Sequence, residues 1–172
     1  ACLVGAEMCI RDRRMVNGLV PHFYQGRLEG DITVGNVHIK EASLPQVAAV
    51  AGSVFQNPRT QFFHLDTTGE MAFNMENLNI PHDKMVERLK ETAWKLDIQT
   101  LMDRDIFQLS GGEKQQIACG SVYASMPEVI VMDEPSSNLD MESIRKLQDL
   151  IRTMKDEGKT ILISEPVSYT HL

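Results

Sequence analysis

Val129-Ile130-Val131-Met132-Asp133-Glu134-Pro135, followed by Ser137-Asn138-Leu139-Asp140, decides the fold. Four consecutive apolar residues, two of them valine, are what a strand buried on both faces requires. Beyond the two carboxylates, Ile144, Leu147, Leu150, Ile151 and Met154 recur at helical spacing, with Gly158 at the helix C-terminus. Thr160-Ile161-Leu162-Ile163 is a second buried strand. A strand, a helix and a strand in that order imply a right-handed crossover, hence a mainly parallel sheet and an α/β fold.

Upstream, Ile32–Val34 and Val37–Ile39 flank Gly35-Asn36, the pattern of a β-hairpin with a tight turn. Ala49 to Phe55 is a short apolar run that predicts a strand, ending at Gln56-Asn57-Pro58. From there to Gln108 the pattern is helical. Thr67 and Glu70 have the spacing of a capping box, and Met85, Leu89, Ala93 and Leu96 share a helical face. Ser110 is placed to cap a helix over about Glu113 to Ser125, with Pro127 just past its end.

The chemistry concentrates in two places. Acids at the C-terminal end of a buried parallel strand stand where α/β folds bind ligands. Asp133 suits Mg²⁺, which takes one or two carboxylates plus waters and phosphates. Glu134 suits the orientation or deprotonation of a water. Two solvated acids at a strand end are the plainer alternative. In Leu109-Ser110-Gly111-Gly112-Glu113-Lys114-Gln115, two glycines open a helix whose N-terminal N–H groups can receive an anion. An ordinary capped turn accounts for the same residues.

Composition narrows the classes. The 172 residues are 42% hydrophobic, enough for one sizeable core, with ten Met supplying packing where aromatics, at 6%, are sparse. No run approaches the roughly 18 apolar residues of a membrane span, so a membrane role is expected to come through a partner. A net charge of −7 argues against nucleic acid as a partner, because duplex binding relies on Lys and Arg. A nucleotide remains compatible, its phosphates being held mostly by backbone N–H groups. Cys2, Cys9 and Cys119 form no CxxC pair and no metal spacing, as in a reducing compartment.

Together, and in this order, the two chemical segments resemble the signature motif, the Walker B motif and the D-loop of the ATP-binding-cassette (ABC) transporter ATPases. Val54-Phe55-Gln56-Asn57-Pro58 resembles the family's Q-loop. Gly18-Leu19-Val20-Pro21-His22-Phe23-Tyr24, Gln56 through Phe63, and Glu70-Met71-Ala72-Phe73 resemble the energy-coupling-factor and cobalt-type importers, which take up vitamins and metal ions. The resemblance covers about Val16 to Glu165.

It implies a nucleotide-binding α/β domain of the P-loop type: a mainly parallel sheet, a small antiparallel β part and a helical subdomain over 59–108. It also implies ATP and Mg²⁺ as cofactors. Two such cassettes pair head to tail, so Ser110, Gly111 and Gly112 would touch the γ-phosphate of ATP held by a second subunit, and Asp140 would couple the two sites. Asp133 and Gln56 would serve the metal, and Glu134 would activate the water. The implied partners are a second ABC ATPase subunit and a transmembrane transporter subunit. The implied place is peripheral, on the cytoplasmic face of the cell membrane.

The chain departs from that pattern at both ends. Gly-x-x-x-x-Gly-Lys-Ser/Thr is absent. Gly158-Lys159-Thr160 is not a substitute, because it runs from helix to strand and Thr153 stands where the first Gly belongs. The Walker A strand, loop and helix are thus expected to be missing. The family's switch His position holds Pro166, with His171 five residues later. Met8 to Arg13 and Pro166 to Leu172 resemble translated sequencing-adapter sequence, so 1–14 and 166–172 are expected to be non-native tails, leaving 15–165 as a partial ABC ATPase domain expected to be inactive as written. The alternatives are a soluble ABC translation factor and a catalytically dead cassette acting as a binding partner. A chromosome-maintenance ATPase is disfavoured, since Gln56 and Leu109 are only 53 positions apart and no sustained heptads separate them.

Overall fold

The computed structural model describes residues 2–5, 10–24 and 29–164. In chain order these form β1 (Cys2–Gly5), α1 (Ile10–Val16), the short turn α2 (Leu19–His22), β2 (Thr33–Val34), β3 (Val37–His38) and α3 (Leu44–Val50). There follow β4 (Ala51–Val54), α4 (Thr67–Asn77), α5 (His82–Lys95), α6 (Gly111–Ala124), β5 (Val129–Asp133), α7 (Met141–Asp156) and β6 (Thr160–Ser164). Three 3₁₀ turns, Pro58–Thr60, Gln99–Leu101 and Ile106–Gln108, complete the described elements.

The main sheet has the order β1-β6-β5-β4 with every pairing parallel, and β2-β3 is a separate antiparallel hairpin. In β5, Ile130, Val131 and Met132 are all buried, the two-faced burial that an unbroken apolar run anticipates. Leu147, Leu150, Ile151 and Met154 turn one face of α7 onto this core. Between α7 and β6, Gly158 adopts a φ of +83°, so Gly158-Lys159-Thr160 is a helix end entering a strand.

The α6 helix is buried on nearly every side from Lys114 to Ala124, packed by α4, α5, α7 and β4. A helix so enclosed needs no amphipathic stripe. Met71, Ala93, Leu96, Ile98 and Leu101 of the helical region join the same apolar cluster as the sheet residues Ile130, Met132 and Ile161. A second cluster, Val34, Ile39, Ala42, Val47 and Ala51, lies under the hairpin. No helix among the described residues is long and apolar enough to cross a membrane.

Three local expectations change. Ala49 and Val50 end a helix instead of starting a strand. Ser43 N–H donates to Gln46 Oε1 at 2.8 Å and Pro45 sits in the first turn, which nucleates α3 and shortens the strand to Ala51–Val54. The capping box expected at Thr67 and Glu70 does not form. Asp66 caps α4 by accepting from Gly69 N–H at 2.8 Å, while the buried Thr67 hydroxyl donates to Leu101 O at 2.7 Å.

The third change is at the N-terminus. A strand and a helix precede Gly18 after all: Cys2–Gly5 pairs with Ile161–Ser164 along the sheet edge, and Ile10–Val16 is helical. A strand and a helix thus precede Gly18, with Ile10-Arg11-Asp12 and not Gly-Lys-Ser/Thr at the start of that helix. Pro166, His171 and residues 6–9 lie outside the described residues.

Candidate functional site

Strand register builds the first cluster. Val54 pairs with Met132 and Asp133 with Ser164, so residues just past β4 and β5 emerge beside Ser164, the end of β6, at the C-terminal edge of the sheet. Gln56, two residues beyond β4, is level with Glu134, two beyond Met132. Its side-chain Nε2 donates to Glu134 Oε2 at 2.8 Å and lies 3.4 Å from Ser137 Oγ. Glu134 leaves the strand with a φ of +42°, a conformation uncommon outside glycine, and its N–H donates to Ser164 O at 2.8 Å. Backbone outliers of this kind gather at functional sites.

Asp133 is the last residue of β5. Its Oδ1 accepts from Ser164 Oγ at 3.0 Å and is paired with the guanidinium of Arg13 on α1. Arg13 and Asp133 are 15% and 30% exposed, so water screens the pair only in part. A cleft of about 260 Å³ opens here, lined by Arg13, Asn17, Tyr24, Phe55 and Asp133 among others. The carboxylate that the Mg²⁺ expectation assigns to a metal thus already carries an organic cation. A divalent ion at the same oxygen would compete with that positive charge.

The second cluster joins two helix N-termini. Ser110 caps α6: its Oγ accepts from Glu113 N–H at 3.2 Å, and its own N–H donates to Glu113 Oε2 at 2.7 Å. That Ser110 N–H, before the Ser110 hydroxyl and Arg104, holds the Glu113 carboxyl below its ordinary range. Asp140 caps α7 by accepting from Ser143 N–H at 2.7 Å, which lowers its pKa as well. Gly112 lies directly against the Ser143 side chain, whereas Gly111 faces open space. Ser110, Gly111, Gly112 and Asp140 therefore share one junction, where the amide ends of α6 and α7 favour an anion.

The structure assembles Gln56, Asp133 and Glu134 at the sheet edge, and the other four candidates at the helix junction. Sequence reasoning overlooked Arg13, which fell in a segment read as foreign, and the roles of Ser164, Gln61 and Glu70. Ser164 was within reach, since parallel strands β5 and β6 in register put its hydroxyl beside Asp133.

A family model described as ABC transporter matches residues 15–137. A protein of Treponema denticola named as an ABC transporter ATP-binding protein is 47% identical over 165 residues, which is 95% of this chain and 34% of that protein. One of Pyrococcus abyssi with the same description is 38% identical over 151 residues, 86% of this chain and 53% of its own length. Among solved structures, cbiO1 of Clostridium perfringens, described as part of the ABC transporter complex cbiONQ, superposes with a TM-score of 0.75 at 25% identity. The superposition covers 90% of this chain and 60% of cbiO1. The chain thus spans only part of the length of the relatives it matches.

Proposed function

The chain belongs to the ABC transporter family, and we propose that it serves as the ATP-hydrolysing motor of a membrane importer. One observation carries this: Gln56 and Glu134, far apart in sequence, meet at 2.8 Å beyond the end of β5. A carboxylate there takes the proton of an attacking water, and Gln56 on Oε2 fixes its orientation. ATP lies between two cassettes. Ser110, Gly111 and Gly112 meet the γ-phosphate of the nucleotide held by a second subunit, and Asp140 links the two sites. The helical region 59–108 passes the motion to a transmembrane subunit, with the motor peripheral on the cytoplasmic face. Uptake of a vitamin or metal ion is supported by the importer-type motifs and by likeness to cbiO1, described as part of cbiONQ.

A second reading, a cassette that binds a partner without turnover, is favoured by the Arg13 guanidinium on Asp133. The experiment that separates them uses the segment from β1 into α1. Four residues lie between Gly5 and Ile10, the interval of Gly-x-x-x-x-Gly, so Ile10-Arg11-Asp12 stand where Gly-Lys-Ser would. The variant Ile10→Gly/Arg11→Lys/Asp12→Ser, checked for folding by circular dichroism, is expected to bind ATP and release phosphate. Adding Glu134→Gln should leave binding and remove turnover. A folded triple variant that binds no nucleotide would overturn the motor reading. Turnover indifferent to Glu134→Gln would remove Glu134 from its role.

A further inference from the structure

Gln56 is an exposed side chain on a loop, and loops are where side chains normally lose a fixed geometry. Its contact with Glu134 requires a backbone held in place by something else. The loop from Phe55 to His64 is held by two buried polar side chains, Gln61 within it and Glu70 on α4.

Gln61 is 9% exposed, and its Oε1 accepts the backbone N–H of Phe55, the residue before Gln56, at 3.1 Å. That N–H follows the last ladder pair of β4, Val54 with Met132, and Gln61 supplies the partner that the sheet no longer does. The turn between them is closed from within: Asn57 Oδ1 accepts from Arg59 N–H at 3.1 Å, and Gln61 N–H donates to Pro58 O at 3.0 Å. At the far end, Glu70 of α4 is 2% exposed, and its Oε2 accepts from Phe63 N–H at 2.8 Å and His64 N–H at 3.0 Å. The loop is therefore pinned to itself beside Gln56 and pinned to the helical region at its other end.

We propose that Gln61 is a positioning residue: its buried amide oxygen, bonded to Phe55 N–H, holds the loop so that Gln56 reaches Glu134. Glu70 of α4 fixes the far end of the same loop through Phe63 N–H and His64 N–H. The importance of Gln61 for catalysis rests on the proposed role of Gln56 and Glu134, but the geometry itself can be tested without nucleotide.

The test is NMR on the full ¹⁵N-labelled chain, following the Phe55 backbone amide and the Gln56 side-chain amide. Glu134→Ala gives the signal of a released Gln56. Gln61→Met, similar in length but without an acceptor, is expected to speed exchange of the Phe55 amide by about tenfold or more, the scale of a lost buried hydrogen bond. It should also move the Gln56 side-chain signal to the position seen in Glu134→Ala. Gln61→Glu retains the acceptor and should keep both signals near the parent's. Core amides of β5 and α6, unchanged in both variants, would separate this effect from general loosening.

A Gln56 signal unmoved in Gln61→Met, or lost equally in Gln61→Glu, would overturn the proposal. Should Gln61→Met fail to fold, the Gln61→Glu arm decides alone, since loss of the Gln56 contact with an acceptor present contradicts it. Failure of the ATPase reading would leave these signals as predicted, so the two ideas fall separately.

Discussion

Gly112, the second residue of α6, faces Ser143 of α7 so closely that a β-carbon on it would lie 2.1 Å from Ser143 Oγ and 2.6 Å from its Cβ. Gly111 has nothing within 4 Å of the same construction. Packing therefore requires glycine at 112 and not at 111. Gly112→Ala should destabilise the chain by about 1–3 kcal/mol, the range for overpacking, and Ser143→Gly should recover much of the loss. Gly111→Ala should stay within about ±0.5 kcal/mol in urea unfolding. If Gly111→Ala weakens nucleotide binding in an assembled pair of cassettes at unchanged stability, Gly111 acts on the ligand and not on the fold.

The capping box at Ser110 makes stability depend on acid. Glu113 is held below its ordinary 4.5, first by the Ser110 N–H. A depressed carboxyl contributes stability above its unfolded pKa, and the contribution is lost as pH falls through the folded value. Glu113→Gln keeps the acceptor and removes the charge. It should therefore cost about 0.3–1 kcal/mol near neutral pH at low salt, as for an anion at a helix N-terminus. The gap between the two urea midpoints should close as pH drops below the ordinary value. A gap constant down to strongly acidic pH would show that the charge contributes nothing.

What could be read in the sequence was whatever depends on local pattern. The apolar runs of β5 and β6, the face of α7 and the Ser110 cap each follow from residues within a turn or two of one another. Ala49 and Val50 were misassigned because an apolar run crosses from α3 into β4 without a break, and only the upstream Ser43 and Gln46 mark the helix. The contacts of Gln61 with Phe55, Glu70 with Phe63, and Arg13 with Asp133 depend on how loops and elements close in space, which periodicity does not encode. Gln56 and Glu134 were each singled out through family resemblance, without their contact being anticipated. Strand register explains the pairing physically, but it requires the sheet order.

Tyr123 of α6 donates its hydroxyl hydrogen bond to Glu157 at the end of α7, and Lys95 of α5 pairs with Glu157 at 2.7 Å. Burial, then the bond to Glu157, raises the Tyr123 phenol above its ordinary 10.0, and the bond to Glu157 raises Lys95. Groups with raised pKa values contribute stability below the unfolded value, and lose it as pH rises toward the folded one. Among the three tyrosines, one should therefore resist ionisation until the chain unfolds in alkali. Absorbance titration should show that late component in the parent and not in Tyr123→Phe. A late component that persists in Tyr123→Phe would assign the resistance to another tyrosine.

The Arg13–Asp133 pair predicts how the sheet edge responds to divalent metal. With the guanidinium in place, millimolar MgCl₂ should leave the melting temperature of the parent chain unchanged, because the Asp133 charge is already balanced. Arg13→Gln removes the cation and leaves the Ser164 hydroxyl on Asp133. This variant should be less stable without metal and should gain stability with MgCl₂, since a ligand that binds only the folded chain raises its stability by mass action. Arg13→Gln/Asp133→Asn should lose that gain. A double-mutant cycle on the metal-free chains should return a coupling of about 0.5–3 kcal/mol for two contacting, partly buried charges. If MgCl₂ stabilises the parent as much as Arg13→Gln, and the gain disappears with Asp133→Asn, then Arg13 yields to the metal and does not replace it.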